Sequence, residues 1–314
     1  MVEVLTFGEP MGLLAADEVK PLKEVERFRR YVCGAEVNFS VGLARLGHAV
    51  AYVSKIGHDP FGEHIRDFLQ RNRIDNRYVK YDEVFMTGMQ LKEKVQDGAD
   101  PLVVNYRGNT AFSHFSPGDL ADIDWQGVRH LHVTGIPAAL SATCRKALAV
   151  LMDMAKEKKI CVSFDPNLRP ALWPDQDDMI HTINALAAKA DIVLPGVREG
   201  ERLTGSENPE EIADFYLQQG AKAVVVKVGA AGSFVKTRSG ESFTSPAFHV
   251  NHVVDTVGAG DGFAVGTISA LLEGEDLRGA VRRGAAVGAL AVMSPGDNEG
   301  LPTREELERF MQEN

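Results

Sequence analysis

Short apolar runs alternate along the chain with longer stretches whose apolar residues recur every three or four positions. Residues 2–7 form a β-rich run ended by Gly8 and predict an opening strand. Residues 35–46 place Val37, Val41 and Ala44 at helical intervals and stop at Gly47, which predicts a helix. Residues 50–54 read as a strand, and residues 61–69 as a helix with Phe61, Ile65, Phe68 and Leu69 on one face. The rhythm continues with a strand at 131–133, a helix at 141–158 and a strand at 160–164. A helix at 178–188 and strands at 192–194 and 223–227 follow. Strands separated by helices of about ten residues or more are the signature of βαβ units, so the pattern predicts an α/β chain around a mainly parallel sheet.

Two stretches break the rhythm, at about residues 11–33 and 87–107. Residues 89–95 alternate apolar and polar side chains, and a turn at Asp97-Gly98-Ala99-Asp100 leads into Leu102-Val103-Val104, a hairpin pattern. Both stretches are expected to supply strands of a small sheet standing off the main one as a lid; the alternative is a surface hairpin without a role. Neither a repeat nor a low-complexity linker interrupts the chain, so residues 1–314 are expected to form one domain with lid excursions. The unpaired edges of such a small sheet offer a route to a homo-oligomer. Beyond residue 255 the segments 262–272 and 277–293 are rich in Ala, Gly and Val, which suits closely packed helices. A last helix is expected to start with Thr303 as N-cap and Glu306 completing a capping box.

Composition narrows the function. The 314 residues carry 44 acidic and 34 basic side chains, a formal net charge of −10. That argues against a general nucleic-acid binder, which needs a basic surface to displace counterions, but leaves room for a small anion held by local arginines. Apolar runs such as Ile192-Val193-Leu194 are strand-sized, so no membrane span is expected. Met1-Val2-Glu3-Val4 lacks the basic-then-apolar pattern of a signal peptide. Cys33, Cys144 and Cys161 are odd in number and far apart, which disfavours a disulfide scaffold or a structural zinc site and fits a reducing cytoplasm.

The segment Val253-Val254-Asp255-Thr256-Val257-Gly258-Ala259-Gly260-Asp261-Gly262-Phe263 carries the most chemistry. An apolar strand ends, a turn of small residues follows and an amphipathic helix starts. Gly258, Ala259 and Gly260 can expose consecutive N–H groups at the helix start, where unpaired donors and the helix dipole attract phosphate oxygens. Asp261 directs a carboxylate at the same spot. Like charges repel, so a carboxylate beside an anion hole suits catalysis better than phosphate storage. Asp261 would take a proton from an attacking hydroxyl while the N–H groups stabilise the transferring phosphoryl group. Taken alone, the string also fits a Gly-rich helix start with an aspartate as its N-terminal charge. Other signatures fail. Gly42-Leu43-Ala44-Arg45-Leu46-Gly47 has P-loop glycine spacing, but His48-Ala49 replaces the Lys-Ser/Thr pair. Phe263 stands where a dinucleotide fingerprint has its third glycine, and no His-Glu-x-x-His or Gly-x-Ser-x-Gly string is present. Dehydrogenase, zinc hydrolase and serine hydrolase drop out.

Cys33-Gly34-Ala35-Glu36-Val37-Asn38-Phe39-Ser40, continuing to Gly47 and Gly57, resembles the first signature of the ribokinase-like (PfkB) sugar kinases. Asp255-Thr256-Val257-Gly258-Ala259-Gly260-Asp261 is similar to their second, and the resemblance covers essentially the whole chain. Cys33 stands where the family usually has glycine. The resemblance implies a ribokinase-like, doubly wound, mainly parallel sheet flanked by helices with a small β-sheet lid, and phosphorylation of a sugar hydroxyl by ATP with Mg2+. It implies that Gly34 and Asn38 sit in the sugar pocket, that Gly258, Ala259 and Gly260 form the anion hole, and that Asp261 is the base. Lys227-Val228-Gly229 resembles the segment beside ATP, which gives Lys227 and Gly229, with Gly258 and Gly260, to the nucleotide. Glu199 matches the glutamate of the family's Asn-x-x-Glu element, which organises magnesium and phosphate, although Gly196 replaces the asparagine. Carbonyls around Asp255 and Thr256 match a monovalent-cation site, for K+, found in several relatives.

Tyr106-Arg107-Gly108-Asn109, after the hairpin, and Asp165-Pro166-Asn167-Leu168-Arg169-Pro170, after a parallel strand, each bring an arginine to the expected pocket. Two guanidinium groups suit a carboxylate, and a neutral hexose would leave both poorly compensated once a lid excludes water. These strings, with Gly8-Glu9-Pro10, Leu172-Trp173-Pro174 and Pro295-Gly296-Asp297, resemble 2-keto-3-deoxygluconate kinases. That resemblance implies that Arg107 and Arg169 hold the acid, that Glu9 belongs to the sugar site and that Asp297 adds a polar contact near the base. Gln90 and Asn105 stand where some relatives carry tyrosines. A surface or salt-bridge role is the alternative for the arginines. For the function, the alternatives are a fructokinase or ribokinase acting on a neutral sugar, or a non-catalytic sugar-acid sensor. His130 and His132 alternate on a strand and read as structural, and Trp125 and Trp173 as packing residues.

Overall fold

The apolar runs of the sequence pair into two sheets. The structure, a computed structural model, describes residues 1–95, 101–250, 252–254, 257–294 and 298–314. Strand β1 (Val4–Phe7) leads through β2 (Met11–Ala16) and β3 (Phe28–Cys33) into helix α1 (Ala35–Arg45). Next come β4 (Val50–Gly57), α2 (Pro60–Arg71), β5 (Asp75–Asp82), β6 (Met89–Lys92) and β7 (Val103–Tyr106). The middle of the chain holds β8 (His130–Thr134), α3 (Ile136–Leu140), α4 (Ala142–Glu157), β9 (Cys161–Asp165) and α5 (Gln176–Ala187). It continues with β10 (Ile192–Val193), α6 (Val197–Thr204), α7 (Pro209–Gln219) and β11 (Ala223–Lys227). The hairpin strands β12 (Ser233–Thr237) and β13 (Ser242–Ser245) precede α8 (Ala259–Leu272), α9 (Leu277–Ala291) and α10 (Arg304–Glu313).

The large sheet has the order β13-β12-β11-β10-β9-β8-β1-β4-β5, parallel from β11 to β5 with an antiparallel edge at β12 and β13. The chain leaves β1 toward β4 on one side and β8 on the other, so the crevice at the carboxyl ends of β1 and β8 is a topological switch point. The stretches that broke the helical rhythm build a second sheet, β3-β2-β6-β7. Its β2–β6 pairing is parallel and the other two are antiparallel. The expected turn at 97–100 lies outside the described residues.

Alternation along the central strands sends neighbours to opposite faces. Val4, Val50, Tyr52 and Val225 join one core with residues of α1, α8 and α9, and Leu5, Phe7, Ala51, Val53 and Val226 join another with α4 and α5. Helix α8 is not amphipathic as expected: residues from Gly262 through Ala270 are all buried, and it begins at Ala259, three positions before the apolar run suggested. Strand β5 escaped the sequence reading because it is an edge strand, Asp75-Asn76-Arg77-Tyr78-Val79-Lys80-Tyr81-Asp82, whose polar side chains mask the period. The short polar helix α6 and the Ser/Thr-rich hairpin β12–β13 went unread for the same reason, and α7 and α3 were also missed. The last helix follows expectation: Thr303 Oγ1 accepts from Glu306 N–H at 3.3 Å, and Glu306 Oε2 accepts from Thr303 N–H at 2.8 Å.

Structural roles account for the two strand histidines. Both hydrogen-bond Ser163 Oγ, at 2.7 and 2.8 Å, and burial pushes His130 down to about 4, so it is neutral at physiological pH. Trp173 is buried under the Arg145 guanidinium, 4.7 Å from its ring centroid. No described helix is long and apolar enough to cross a membrane.

Helices α8 and α9 approach closely because glycines face each other. A Cβ on Gly266 would lie 2.5 Å from the Arg283 carbonyl oxygen and 2.8 Å from Gly284 Cα, which are backbone atoms that cannot swing away. Gly266→Ala is therefore expected to lower stability by about 1–3 kcal/mol, the range for overpacking. Urea denaturation checks this; an unchanged midpoint would mean that the two helices separate freely.

Candidate active site

Parallel strands deliver their carboxyl ends to one edge of the sheet, and the chemistry collects there. Asp165 ends β9 and Lys227 ends β11, while Glu9 and Glu199 follow β1 and β10. With the start of α1 (Gly34, Glu36, Asn38) and the start of α8 (Gly258, Gly260, Asp261) they line a cavity of about 520 Å³. The second sheet closes its far side with Met11, Gln90, Val103 and Asn105, and Arg107 and Arg169 complete the wall. Of the residues expected in the site, Ala259 and Gly229 do not line this cavity; Gly229 opens an exposed turn after β11. Asp255, Thr256 and Asp297 lie outside the described residues.

Gly34 precedes α1 with φ 142°, a left-handed value open to glycine, and a Cβ there would meet the Glu9 carbonyl oxygen at 2.9 Å. This close approach sets Asn38, one turn along, over the start of α8. Asn38 Nδ2 donates to Asp261 Oδ2 at 2.8 Å, and Asn167 Nδ2 donates to Oδ1 at 3.4 Å. Asn167 itself is left-handed (φ 41°), a conformation that asparagine tolerates better than most residues. Buried Asn298 donates from Nδ2 to the Val32 carbonyl (3.0 Å) and to Asn38 Oδ1 (3.5 Å), which fixes the Asn38 amide with its nitrogen toward Asp261. Burial pushes the Asp261 carboxyl up to about 7; the Asn38 bond opposes this, and the Asp165 charge adds to it.

Helix α8 starts at Gly258 (φ 82°), and its first closing bond runs from Gly262 N–H to the Gly258 carbonyl at 2.8 Å. The amides ahead of that bond have no partner within the helix and form an anion-attracting end. Lys227 Nζ sits beside it, 3.5 Å from where a Gly260 Cβ would be, and pairs with Asp165 Oδ2 at 2.6 Å. Burial works against the Lys227 charge, but the Asp165 and Glu199 carboxylates outweigh it and hold Lys227 above the usual lysine range. Burial and Glu199 push Asp165 up in turn, against the pull of Lys227. The 2.6 Å contact, with a further bond from Asn167 N–H to Asp165 Oδ1 at 3.1 Å, keeps the pair ionic. Glu199 accepts from Leu168 N–H and Gly196 N–H, both at 2.8 Å, so it ties the loop after β9 to the start of α6.

The two arginines differ. Arg107 is buried, and its Nε and Nη2 both reach Glu9 Oε2, at 2.8 and 2.7 Å, while Thr110 Oγ1 donates to Glu9 Oε1. Arg169 is exposed toward the cavity mouth, bonds only the Asn167 and Leu168 carbonyls, and has no carboxylate partner among the described residues. The salt-bridge alternative thus describes Arg107 in this structure and not Arg169. Among the polar and charged lining residues, Glu36, Asp165 and Asn167 carried no role in the sequence reading. Glu36 was detectable as a lone carboxylate among the apolar positions of α1, and the other two as polar residues at the end of a parallel strand.

Residues 1–304 match the sequence model of the pfkB family carbohydrate kinases. The chain is 46% identical over 311 residues to a 2-dehydro-3-deoxygluconokinase of Bacillus subtilis (strain 168), covering 99% of this chain and 95% of that protein. Among solved structures it is similar to a PfkB protein from Polaromonas sp. JS666, with TM-score 0.89 and 45% identity over 98% of this chain and 99% of that one. A putative ribokinase II from E. coli, in complex with ATP and Mg2+, superposes with TM-score 0.90 at 26% identity over 100% of both chains.

Folding lifts the Asp261 carboxyl from 3.8 to about 7, so its contribution to stability is full below the unfolded value and is lost as pH rises through about 7. Asp261→Asn, which keeps an acceptor for Asn38, is expected to gain in urea midpoint relative to the parent between about pH 5 and about pH 8. A difference that stays flat across that range would mean that the carboxyl is not desolvated.

Proposed function

The chain belongs to the pfkB family of carbohydrate kinases, and from that premise we propose that it moves the γ-phosphoryl group of ATP to the terminal hydroxyl of 2-keto-3-deoxygluconate, giving the 6-phosphate. The observation that carries the acid-sugar assignment is Arg169, a cavity guanidinium without a carboxylate partner among the described residues. A ligand carboxylate matches it bidentately. Arg107 keeps Nη1 clear of the Glu9 pair and adds a second donor from the opposite wall. The sequence similarity to the Bacillus subtilis enzyme supports the same substrate and does not favour a neutral sugar.

The sugar lies between the second sheet and the sheet edge, with its terminal hydroxyl at Asp261. Asp261 accepts the hydroxyl proton as the oxygen forms its bond to the γ-phosphorus and the bond from that phosphorus to the bridging oxygen of ADP breaks. Charge gathering on the transferred group meets the first amides of α8 and the Lys227 ammonium, both fixed before the substrate arrives. Magnesium, held with the phosphates of ATP, would neutralise part of their charge. Both Glu199 oxygens are occupied by backbone amides, so this residue fits the outer sphere of such an ion, through water, and not a direct bond to it. The second sheet, acting as a lid, keeps water from competing as acceptor.

Asp261→Asn is expected to lower kcat by roughly 10²–10⁴-fold with little change in ATP affinity. In the parent, kcat/KM should fall about tenfold per pH unit below about 7, because the base works only when deprotonated. Arg169→Ala should weaken the acid by about 1.5–3 kcal/mol in KM. Arg107→Ala should also weaken it while lowering stability, since Glu9 then remains buried without its partner. A coupled ADP-release assay over sugar acids, fructose and ribose checks these expectations. Unchanged KM in Arg169→Ala, or faster turnover of a neutral sugar, would overturn the acid assignment.

A further inference from the structure

We propose that Glu36 is a recognition residue that receives the acidic sugar as a neutral carboxyl group: it takes up one proton as the ligand enters, bridges Thr134 to a ligand oxygen, and so lets a carboxylate-rich pocket admit an anion. The inference rests on the acid-sugar reading and deepens it. Glu36 is the second residue of α1, 1% exposed, and lines the cavity. Its carboxyl occupies the space where a side chain on Gly8 would be, 2.2 Å from an ideal Cβ there, so the absence of a side chain at position 8 makes its berth. Thr134 Oγ1 holds Oε1. Besides Thr134 the carboxyl has only its own backbone N–H as a hydrogen-bond donor, and among the described residues no cation lies within ion-pair distance of it.

The charges around it explain why a proton should accompany the ligand. Five carboxyl groups line the cavity among the described residues (Glu9, Glu36, Asp165, Glu199 and Asp261) against three cations, Arg107, Arg169 and Lys227. Facing Glu36 are Arg107, Arg169 from the loop after β9, Asp261 from α8, Glu9 after β1, and the Tyr52 phenol from β4, which is buried and unpartnered. Arg107 is committed to Glu9 and Lys227 to Asp165. Arg169 is what remains, and the ligand carboxylate draws its charge. Burial already pushes Glu36 up to about 7 against the Thr134 bond, the residue's own backbone N–H and, more weakly, the two arginines. A ligand that compensates Arg169 removes one of the influences holding Glu36 ionised and adds a negative neighbour, and both changes favour the neutral form.

The test is titration calorimetry of 2-keto-3-deoxygluconate into the protein, without ATP, in two buffers of different ionisation enthalpy. For the parent protein the expected result is uptake approaching one proton per ligand at about pH 8 and falling toward zero at about pH 6, with Kd rising about tenfold per pH unit above about 7. Glu36→Gln, which keeps the shape and cannot ionise, should bind without proton uptake and with a flat Kd–pH profile, while Asp261→Asn should retain the uptake. Binding by the parent protein without proton uptake would overturn the proposal, a result that needs no variant to fold. Uptake that survives in Glu36→Gln and vanishes in Asp261→Asn would overturn it as well. Failure of the substrate reading looks different: the acid produces no binding heat in the parent protein, and both readings fall together.

Discussion

Burying the Asp261 carboxyl at the start of α8 sets the terms for everything around it. A carboxylate removed from water becomes a weaker acid and, near neutral pH, a better acceptor for a hydroxyl proton. The same burial costs stability when the group ionises, and the cavity carries several more carboxyl groups beside it. The structure answers by giving each a different kind of partner. Asp261 takes the amides of Asn38 and Asn167, Asp165 takes the Lys227 ammonium, and Glu199 takes two backbone N–H groups. Glu9 takes a guanidinium and a hydroxyl, and Glu36 a hydroxyl and its own backbone N–H. Glu36 is the only one of the five whose partners include neither a cation nor a group from outside its own helix other than one hydroxyl, and Arg169 is the cavity cation without a carboxylate among the described residues.

Topology places these groups together. Because the central strands are parallel, their carboxyl ends share one edge, and polar residues distant in sequence converge there without any local motif. Helices α1 and α8 reach that edge packed against each other, with Gly42 of α1 accepting the Val265 side chain of α8 at a distance that a Cβ would forbid. The register of this contact governs the Asn38–Asp261 bond. The segment before α10 reinforces it, since Arg45 Nη1 donates to the carbonyls of Asn298 (2.9 Å), Glu299 (3.3 Å) and Leu301, and Asn298 in turn steers the Asn38 amide. Residues far from the cavity thereby control the orientation of the amide that holds Asp261.

The two arginines show how equal sequence signals acquire unequal roles. Arg107 follows a strand of the second sheet and is buried against Glu9, where an ion pair offsets the cost of removing both charges from water. Arg169 lies in the loop whose backbone Glu199 anchors, and it turns its guanidinium to its own carbonyls near the cavity mouth. One arginine therefore shapes the wall while carrying spare donors, and the other has a charge that no carboxylate among the described residues pairs.

By itself the sequence determined the βαβ rhythm, the extra hairpin strands, the Thr303 cap, the glycine-led start of α8 and the identity of Asp261 as its acidic residue. All of these are local signals, carried by periodicity, capping chemistry and the backbone freedom of glycine. Edge strand β5, short α6 and the β12–β13 hairpin stayed hidden because their apolar faces are narrow and polar side chains mask the period. Only the tertiary structure decided that Asp165 belongs to Lys227, that Glu9 takes Arg107 and not Arg169, and that Glu36 turns from an otherwise apolar helix into the cavity. Those outcomes depend on distance and burial across segments 62 and 98 residues apart in sequence, and electrostatic energies are set by separation and local polarity, which residue order does not encode.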